Sequence, residues 1–371
     1  MSRVLVYTEA WGQGGIESFL MNVFRRLSGN GFDFDLFSTW DWSNVADGEL
    51  GRLGVHRTAV FHGYRPSQLT RLRSGLKGFA EALSEGNYDA VYVNTMNGLG
   101  FLYAREAARC DVPVRVVHSH NSDVGEGAKA LKRAVGRLGS LMFGGYATVR
   151  ASCSTAAGEY LFGRRGFIVV KNGIETERFS FDPAARECIR GELGVEPEVS
   201  LVGNIGRIAP AKNPLFQLEV FAEIIDFVPD ARYLMIGGNE MGDVVLEKAR
   251  ALGIQDRVSV LPPVADPAPY YSALDAFLMP SLFEGLGNVR IEAQCSGLPI
   301  LCSDSLPVEG DVTDLARSCS LEDPPLLWAE ELMKMLTRCG DRGLYARVIE
   351  DAGWSAESSA EAVGRLLVGD C

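Results

Sequence analysis

Two glutamates, Glu284 and Glu292, stand eight positions apart in the stretch SLFEGLGNVRIEAQCSGLP (281–299). Glu284 lies in a glycine-rich run, and Glu292 falls one turn inside a helix that is predicted to begin near residues 287–289. The two oxygens of an ionised carboxylate can accept hydrogen bonds from neighbouring hydroxyl groups, which is how acidic residues hold ribose. The pattern predicts that Glu292 binds ribose and Glu284 binds other sugar hydroxyls. A helix N-terminal charge and an ion-pair partner are the alternative.

Two cations follow glycines in the stretch GNIGRIAPAKNP (203–214). Arg207 and Lys212 come directly after a predicted strand, at the edge of a parallel sheet where ligands collect. A guanidinium fork together with a compact ammonium suits a diphosphate. Together with the free amides at the start of the helix near residue 287, they predict a site for a phosphorylated ligand.

The elements that must position these residues are short apolar strands alternating with amphipathic helices. The strands are predicted at 4–8, 89–93, 113–117 and 167–170, and again at 200–206, 232–238, 258–262, 276–281 and 299–304. Such alternation predicts parallel sheets covered by helices on both faces. We expect two Rossmann-like α/β domains facing across a cleft, the first over 1–170 and the second over 171–352, with a hinge and lead-in at 171–199.

A glycine-rich loop also follows the first predicted strand, in TEAWGQGGIESF (8–19). Gly14 and Gly15 let backbone amides approach an anion at the start of the next helix. Glu17 stands where the dinucleotide fingerprint requires its third glycine, which disfavours an NAD enzyme. A tight turn without a ligand is the alternative.

Composition limits the remaining classes. The chain has 371 residues, 47% of them hydrophobic, but no apolar run approaches the roughly 20 residues that cross a bilayer. Its eight cysteines form no CxxC pair and have no histidine at metal-ligand spacing, so we expect reduced thiols, no metal and a cytoplasmic protein.

The net charge of −12 argues against a nucleic-acid partner, and it is unevenly distributed. Residues 1–171 carry a balance of +5 and residues 172–371 one of −17. Basic and apolar residues alternate at helical spacing in 65–83 and 129–143. These segments suit an anionic membrane surface, and ordinary helices with a solvated basic face are the alternative.

The chain resembles family 4 of the retaining glycosyltransferases of the GT-B fold, especially its bacterial exopolysaccharide and capsule branch. The resemblance extends over nearly the whole chain, in the motifs GGIE (14–17), HSHNS (118–122), SCSTAAGEYLFG (152–163), KNGIETERF (171–179), GRIAPAKN (206–213), PSLFEGLG (280–287) and EAQCSGLP (292–299). It implies transfer of a sugar from a nucleotide diphosphate with retention of anomeric configuration and without a metal or other cofactor. It also implies that the first domain binds the acceptor and the second binds the nucleotide sugar, and that the last segment, 353–371, crosses back to the first domain.

The resemblance assigns roles position by position. Arg207 and Lys212 would neutralise the leaving diphosphate, and Glu284 and Glu292 would hold the donor sugar and the ribose. The backbone of several residues would complete the donor site, in particular Gly14, Gly15, Val264, Gly285, Leu286 and Gly287. His120 would face the donor sugar, with His118 as the second choice. Arg290 departs from the family pattern, and we expect it on the outer face of its helix.

The resulting expectation is a hexosyltransferase that uses a UDP-sugar and a glycan acceptor, lipid-linked at the inner membrane face. A GDP-mannose or phosphatidylinositol-type transferase, a non-catalytic nucleotide-sugar-binding subunit, and an epimerase of the same fold are the alternatives. The intact set of two cations and two glutamates disfavours the binding-only subunit. The departing phosphate oxygen would take the acceptor's proton, and the protein would supply electrostatics and positioning.

Overall fold

The computed structural model of the chain describes residues 1–12, 14–121, 129–284, 286–336 and 340–370, and for 129–135 it describes the backbone alone. The chain divides into two compact units, Met1–Gly173 with Ala356–Cys371, and Ile174–Ser355. Each unit is a parallel sheet covered by helices, as the alternating pattern predicted.

The first unit contains a sheet of seven strands within the described ranges, in the order β3-β2-β1-β4-β5-β6-β7. The strands are β1 (Ser2–Trp11), β2 (Phe32–Asp41), β3 (His56–His62), β4 (Ala90–Thr95), β5 (Val114–Ser119), β6 (Val149–Ser152) and β7 (Ile168–Val169). The helices are α1 (Gly15–Leu27), α2 (Asp47–Arg52), α3 (Gln68–Glu85), α4 (Phe101–Arg109), α5 (Lys129–Phe143) and α6 (Thr155–Phe162), with α14 (Ala356–Val368) from the end of the chain.

Helix α1 illustrates how the sequence builds this unit. Phe19, Leu20, Val23 and Phe24 recur at helical spacing and are buried against the sheet. Helix α14 belongs to the same core, where Val363, Leu366 and Leu367 pack with that cluster. The C-terminal helix therefore completes the first unit, as predicted.

The second unit contains a sheet of six strands in its described part, ordered β10-β9-β8-β11-β12-β13. The strands are β8 (Leu201–Ile205), β9 (Arg232–Ile236), β10 (Val258–Leu261), β11 (Ala276–Met279), β12 (Ile300–Ser303) and β13 (Ala316–Cys319). The helices are α7 (Pro183–Leu193), α8 (Pro214–Phe227), α9 (Val244–Ala251), α10 (Ala268–Ala273), α11 (Asn288–Cys295), α12 (Pro325–Leu336) and α13 (Tyr345–Asp351). Numbered within the unit, the order is 3-2-1-4-5-6, that of a Rossmann fold, and the first unit has the same order with one strand added.

The segment predicted as hinge and lead-in contains helix α7. Asp182 caps it by accepting from the backbone N–H groups of Ala184 and Ala185, Pro183 occupies its first turn, and Gly194 ends it in the left-handed conformation. Residues 183–193 are therefore ordered structure of the second unit, and the charged composition of this segment reflects a solvated helix face.

Candidate active site

Two loops of the second unit bring Lys212 and Glu284 together. Lys212 ends the 3-10 turn Pro210–Lys212 after β8, and Asn213 then turns the chain into α8 in the left-handed conformation, with φ of 53°. The Lys212 ammonium forms an ion pair with Glu284, and both side chains are only 15% exposed. The backbone N–H of Leu282 donates to the Ala211 carbonyl at 2.8 Å, which fastens one loop to the other.

Helix α11 begins at Asn288, within the range expected from the sequence. Gly287 precedes it with φ of 78°, and a Cβ on Gly287 would lie 2.8 Å from the Met279 methyl carbon, so this turn requires glycine twice over. Leu286 is buried in the core of the unit. Gly285, expected to supply an amide to the donor, lies outside the described residues.

Glu292 occupies the second turn of α11 and is hydrogen-bonded on one side. The buried Tyr271 hydroxyl on α10 donates to Glu292 Oε2 at 2.6 Å, and Oε1 has no hydrogen-bond partner in the part of the chain that the structure describes. Burial raises the pKa of Glu292, while Tyr271 and the charges of Arg178 and Lys212 oppose the rise. One carboxylate oxygen is thus oriented by the protein, and the other can accept from a ligand.

Arg207 is not brought into this cluster. Its side chain is 66% exposed, and its Nη1 donates at 2.7 Å to Oε1 of Glu240, which is 50% exposed. An exposed pair of this kind is worth about 0–1 kcal/mol, so it can open at little cost when an anion arrives. Val264, the residue expected near the base, is partly buried against the core of the same unit.

In the first unit, Gly14 precedes α1 and Gly15 begins it. A Cβ on Gly14 would lie 2.7 Å from Glu17 Oε2, so the Glu17 carboxylate rests against this glycine at the helix N-terminus. That end of a helix favours negative charge. A diphosphate at this loop would have to share the position with Glu17.

His118 and His120 at the end of β5 are both buried, with ring centroids 4.0 Å apart. Nδ1 of His118 lies 2.5 Å from the Tyr92 hydroxyl, and Nε2 of His120 lies 2.8 Å from Oδ1 of Asn94. Since an amide oxygen only accepts, His120 carries its proton on Nε2, and its Nδ1 is an acceptor without a partner among the described residues. Burial lowers the pKa of His120 to about 3 and that of His118 well below its usual range, so both rings are neutral. The unpartnered Nδ1 of His120 is itself buried, so the structure does not expose it to a ligand.

Arg290 corrects a prediction. It does not lie on the outer face of α11 but is 1% exposed, where it pairs with Asp311 and donates to the Pro307 carbonyl at 2.8 Å. The neighbouring Gln294 accepts from the backbone of Val312 and Thr313. Arg290 therefore holds the loop after β12 against α11 and does not reach toward a sugar.

Three side chains around the site escaped the sequence analysis. Tyr271 and Arg178 approach Glu292 from other elements; Arg178 lies in the motif KNGIETERF (171–179), but neither residue was assigned a role. Glu240 could have been found, because it follows a glycine pair at the end of a predicted strand. Among the residues that the structure describes, no group of three or more histidine, cysteine or acidic side chains could hold a metal ion. Within the same residues, no helix is both long and apolar enough to cross a membrane.

Comparison with known proteins identifies both units. Residues 14–171 match the glycosyl transferase 4-like domain, and residues 199–337 match the glycosyl transferases group 1. EpsF of Bacillus subtilis (strain 168), which carries the name of a glycosyltransferase, is 28% identical over 98% of this chain and 95% of its own. A D-inositol 3-phosphate glycosyltransferase of Nocardia farcinica (strain IFM 10152) is 34% identical, over 52% of this chain and 45% of its own length.

Among solved structures, that of Anabaena HepE in complex with UDP and glucose resembles this chain with a TM-score of 0.78 and 17% identity, and the whole of each chain is covered. At that identity the likeness shows the fold. Together with the two family models, it establishes the class of the protein. The chain is a glycosyltransferase of the GT-B type, in which a glycosyl transferase 4-like domain is followed by a group 1 glycosyl transferase domain.

Proposed function

We propose that this glycosyltransferase transfers a hexose or N-acetylhexosamine from a UDP-sugar to a glycan acceptor, with retention of configuration and without a metal. The observation that carries the donor site is the pairing of Lys212 with Glu284 beside a Glu292 carboxylate that has one oxygen open. A cation, a sugar-binding carboxylate and a ribose-binding carboxylate are the groups that a nucleotide diphosphate sugar needs. The complex of HepE with UDP and glucose supports the choice of uridine.

When the donor binds, two cationic side chains exchange their carboxylate partners for phosphate. Lys212 passes from Glu284 to the diphosphate, which leaves the Glu284 carboxylate able to accept from sugar hydroxyls. Arg207 exchanges Glu240 for phosphate in the same way. Tyr271 keeps Glu292 oriented while its other oxygen accepts from ribose. The enzyme then stabilises the charge that develops on the leaving diphosphate, and the diphosphate oxygen takes the acceptor's proton.

We further propose a lipid-linked acceptor in exopolysaccharide or capsule synthesis and peripheral binding to the inner membrane face. The basic balance of residues 1–171 supports this, as do the exposed Leu138, Leu141 and Met142 on α5. The alignment with EpsF over nearly the whole chain supports the exopolysaccharide branch. Peripheral membrane binding is tested with vesicles that contain or lack anionic lipid. Equal binding of the protein to both kinds of vesicle would refute an electrostatic contribution to membrane binding.

The donor site is tested by thermal unfolding of the protein with UDP, GDP, ADP, UDP-sugars and NAD. A bound nucleotide at about 100 times its Kd stabilises the native state by roughly 2.7 kcal/mol. Glu292→Gln retains an acceptor for Tyr271 but loses the charge that holds ribose, so its uridine nucleotide Kd should rise about 10-fold or more. Glu247→Gln, at an exposed position on α9, is the matched control.

Two outcomes would contradict the proposal. If GDP or ADP stabilised the wild type and UDP did not, the proposed UDP-sugar donor would be wrong. If Glu292→Gln bound the uridine nucleotide as tightly as the wild type does, Glu292 would not bind ribose. Retention is checked separately by the anomeric signal of the product in NMR, and metal independence by turnover in EDTA. An inverted product or complete loss of turnover in EDTA would refute those parts.

A further inference from the structure

The first unit contains a small polar pocket that no part of the donor site uses. It lies between helices α3 and α4 and the strands β1, β2 and β4, and its lining includes Tyr7, Glu9, Thr39, Arg71, Asn97 and Tyr103. We name it the Arg71 pocket. It holds about 40 Å³, which is room for a few hydroxyl groups or waters and not for a whole sugar ring.

One side of the Arg71 pocket is a fixed cluster of hydroxyl groups. The rings of Tyr7 and Tyr103 stack with centroids 3.7 Å apart, and Thr39 Oγ1 lies 3.4 Å and 3.3 Å from their hydroxyl oxygens. Burial raises the pKa of both tyrosines, so the phenols stay protonated. A Cβ on Gly75 of α3 would lie 2.6 Å from the Tyr103 hydroxyl, which shows how closely that helix confines the cluster.

The opposite side of the pocket is an ion pair between Arg71 and Glu9, whose charges cancel. Arg71 is only 10% exposed, and its Nε donates to Glu9 Oε1 at 3.0 Å while Nη1 donates to the Pro66 carbonyl at 2.7 Å. Nη2 makes no hydrogen bond to any residue that the structure describes, so a side chain held in place by two hydrogen bonds still has a donor available for a ligand. The Glu9 carboxylate, 40% exposed, cancels the cation's charge.

The chemistry of the pocket selects its ligand. The hydroxyls, carboxylate, amide and guanidinium that line this pocket can both donate to and accept from vicinal hydroxyl groups. A phosphate or carboxylate at Arg71 would have to stand beside Glu9, and like charges at such separation repel. The pocket therefore favours a neutral polyhydroxylated group over an anion.

We propose that the Arg71 pocket is an acceptor subsite that binds adjacent hydroxyl groups on the edge of an uncharged sugar residue. The role as an acceptor subsite rests on the proposed function, whereas binding of the sugar itself does not. A pocket of this size grips one edge of a pyranose and leaves the rest of the ring outside. The acceptor residue would thus be recognised by the configuration of two neighbouring hydroxyls.

The test measures the Kd of small probes by saturation-transfer NMR on the full chain. The probes are the methyl glycosides of glucose, galactose and mannose, with glucuronate and inorganic phosphate as anions. Arg71→Met keeps the aliphatic stem and removes the donors, and Thr39→Val removes one hydroxyl at nearly constant volume. Arg73→Met, on an exposed position of the same helix, is the matched control.

We expect at least one neutral glycoside to bind, with a Kd that rises about 10-fold or more in Arg71→Met and by a smaller factor in Thr39→Val, and is unchanged in Arg73→Met. The proposal would be overturned if no neutral glycoside bound, if the glycoside bound wild type and Arg71→Met equally, or if an anion bound more tightly than any neutral glycoside. If no neutral glycoside bound, the pocket would be a site for structural water. UDP binding should be the same in Arg71→Met as in the wild type. If the wild type did not bind UDP, the proposed donor would be wrong, but the measured affinity for neutral glycosides would still test the pocket.

Discussion

Replacing His120 by glutamine should make the protein less sensitive to acid. His120 is buried and neutral in the folded chain, with a pKa near 3, whereas its unfolded value is about 6.5. Below pH 6.5 the imidazole of His120 is therefore protonated in the unfolded chain, whereas in the folded chain it stays neutral down to about pH 3. The contribution of His120 to the free energy of unfolding is fully present above pH 6.5 and is lost progressively as the pH falls toward 3. Glutamine does not titrate, and its amide can still donate to Asn94.

The size of the effect follows from those two pKa values. At pH 4.5 the unfolded histidine is protonated and the folded one is not, so the contribution of His120 has fallen by roughly 2–3 kcal/mol relative to pH 7. Other groups contribute to acid sensitivity in both proteins. The difference in unfolding free energy between wild type and His120→Gln should therefore shift by roughly 2–3 kcal/mol in favour of the variant between pH 7 and pH 4.5.

The assay is urea unfolding followed by circular dichroism at pH 7.0, 5.5 and 4.5, with exchange of the β5 amides as a readout specific to the first unit. His56→Gln, at an exposed position on β3, controls for effects of the substitution on the unfolded chain. Parallel stability curves for wild type and His120→Gln would refute the reasoning, because they would mean that the buried imidazole does not resist protonation.

Three further predictions concern the second unit. Lys212→Ala and Glu284→Gln should show a coupling of roughly 0.5–3 kcal/mol in a double-mutant cycle of urea unfolding, because the two side chains form a largely buried pair; additive effects would deny the pair. Arg290→Met should lower the free energy of unfolding by about 3 kcal/mol, since it leaves Asp311 without its buried partner; a change under about 1 kcal/mol in calorimetry would contradict this. Gly287→Ala should cost about 1–3 kcal/mol in the same calorimetry and weaken donor binding, because its φ of 78° strains any other residue; wild-type values for both would show that the turn relaxes freely.

Strands with continuous β-branched runs were predicted from the sequence, and strands with other patterns were missed. The apolar runs that became β1, β4 and β5 were found from sequence. Strand β2 (FDFDLFSTWD) was missed although its aromatic and acidic residues alternate with the two-residue period of a half-buried strand: Phe34 is buried, while Asp33 is exposed and Asp35 pairs with Arg3. Strand β13 (ARSC) was missed because it contains no β-branched or aromatic residue, whereas β10 (VSVL), equally short and at the other edge of the sheet, was found.

The candidate site divides in the same way. Residue type and loop position were enough to single out Lys212, Glu284 and Glu292. That Lys212 pairs with Glu284 was not predictable, since the loops are 72 residues apart and meet only through the order of the strands. The expectation for Arg290 was wrong because the groups that bury it come from the loop after β12, and the periodicity of α11 holds no information about that loop.

The place of helix α14 in the first unit sets the order in which the protein can mature during synthesis. Its Gly364 lies against Phe32 and Leu27, and Arg26 forms an ion pair with Glu357, so the first unit is closed by residues that are made after the second unit. A ribosome adds about 5–20 residues per second, so residues 174–355 take roughly 10–40 s to emerge. For that interval an apolar face of the nascent first unit stays uncovered, which makes it a target for chaperones and makes premature termination costly for the whole chain.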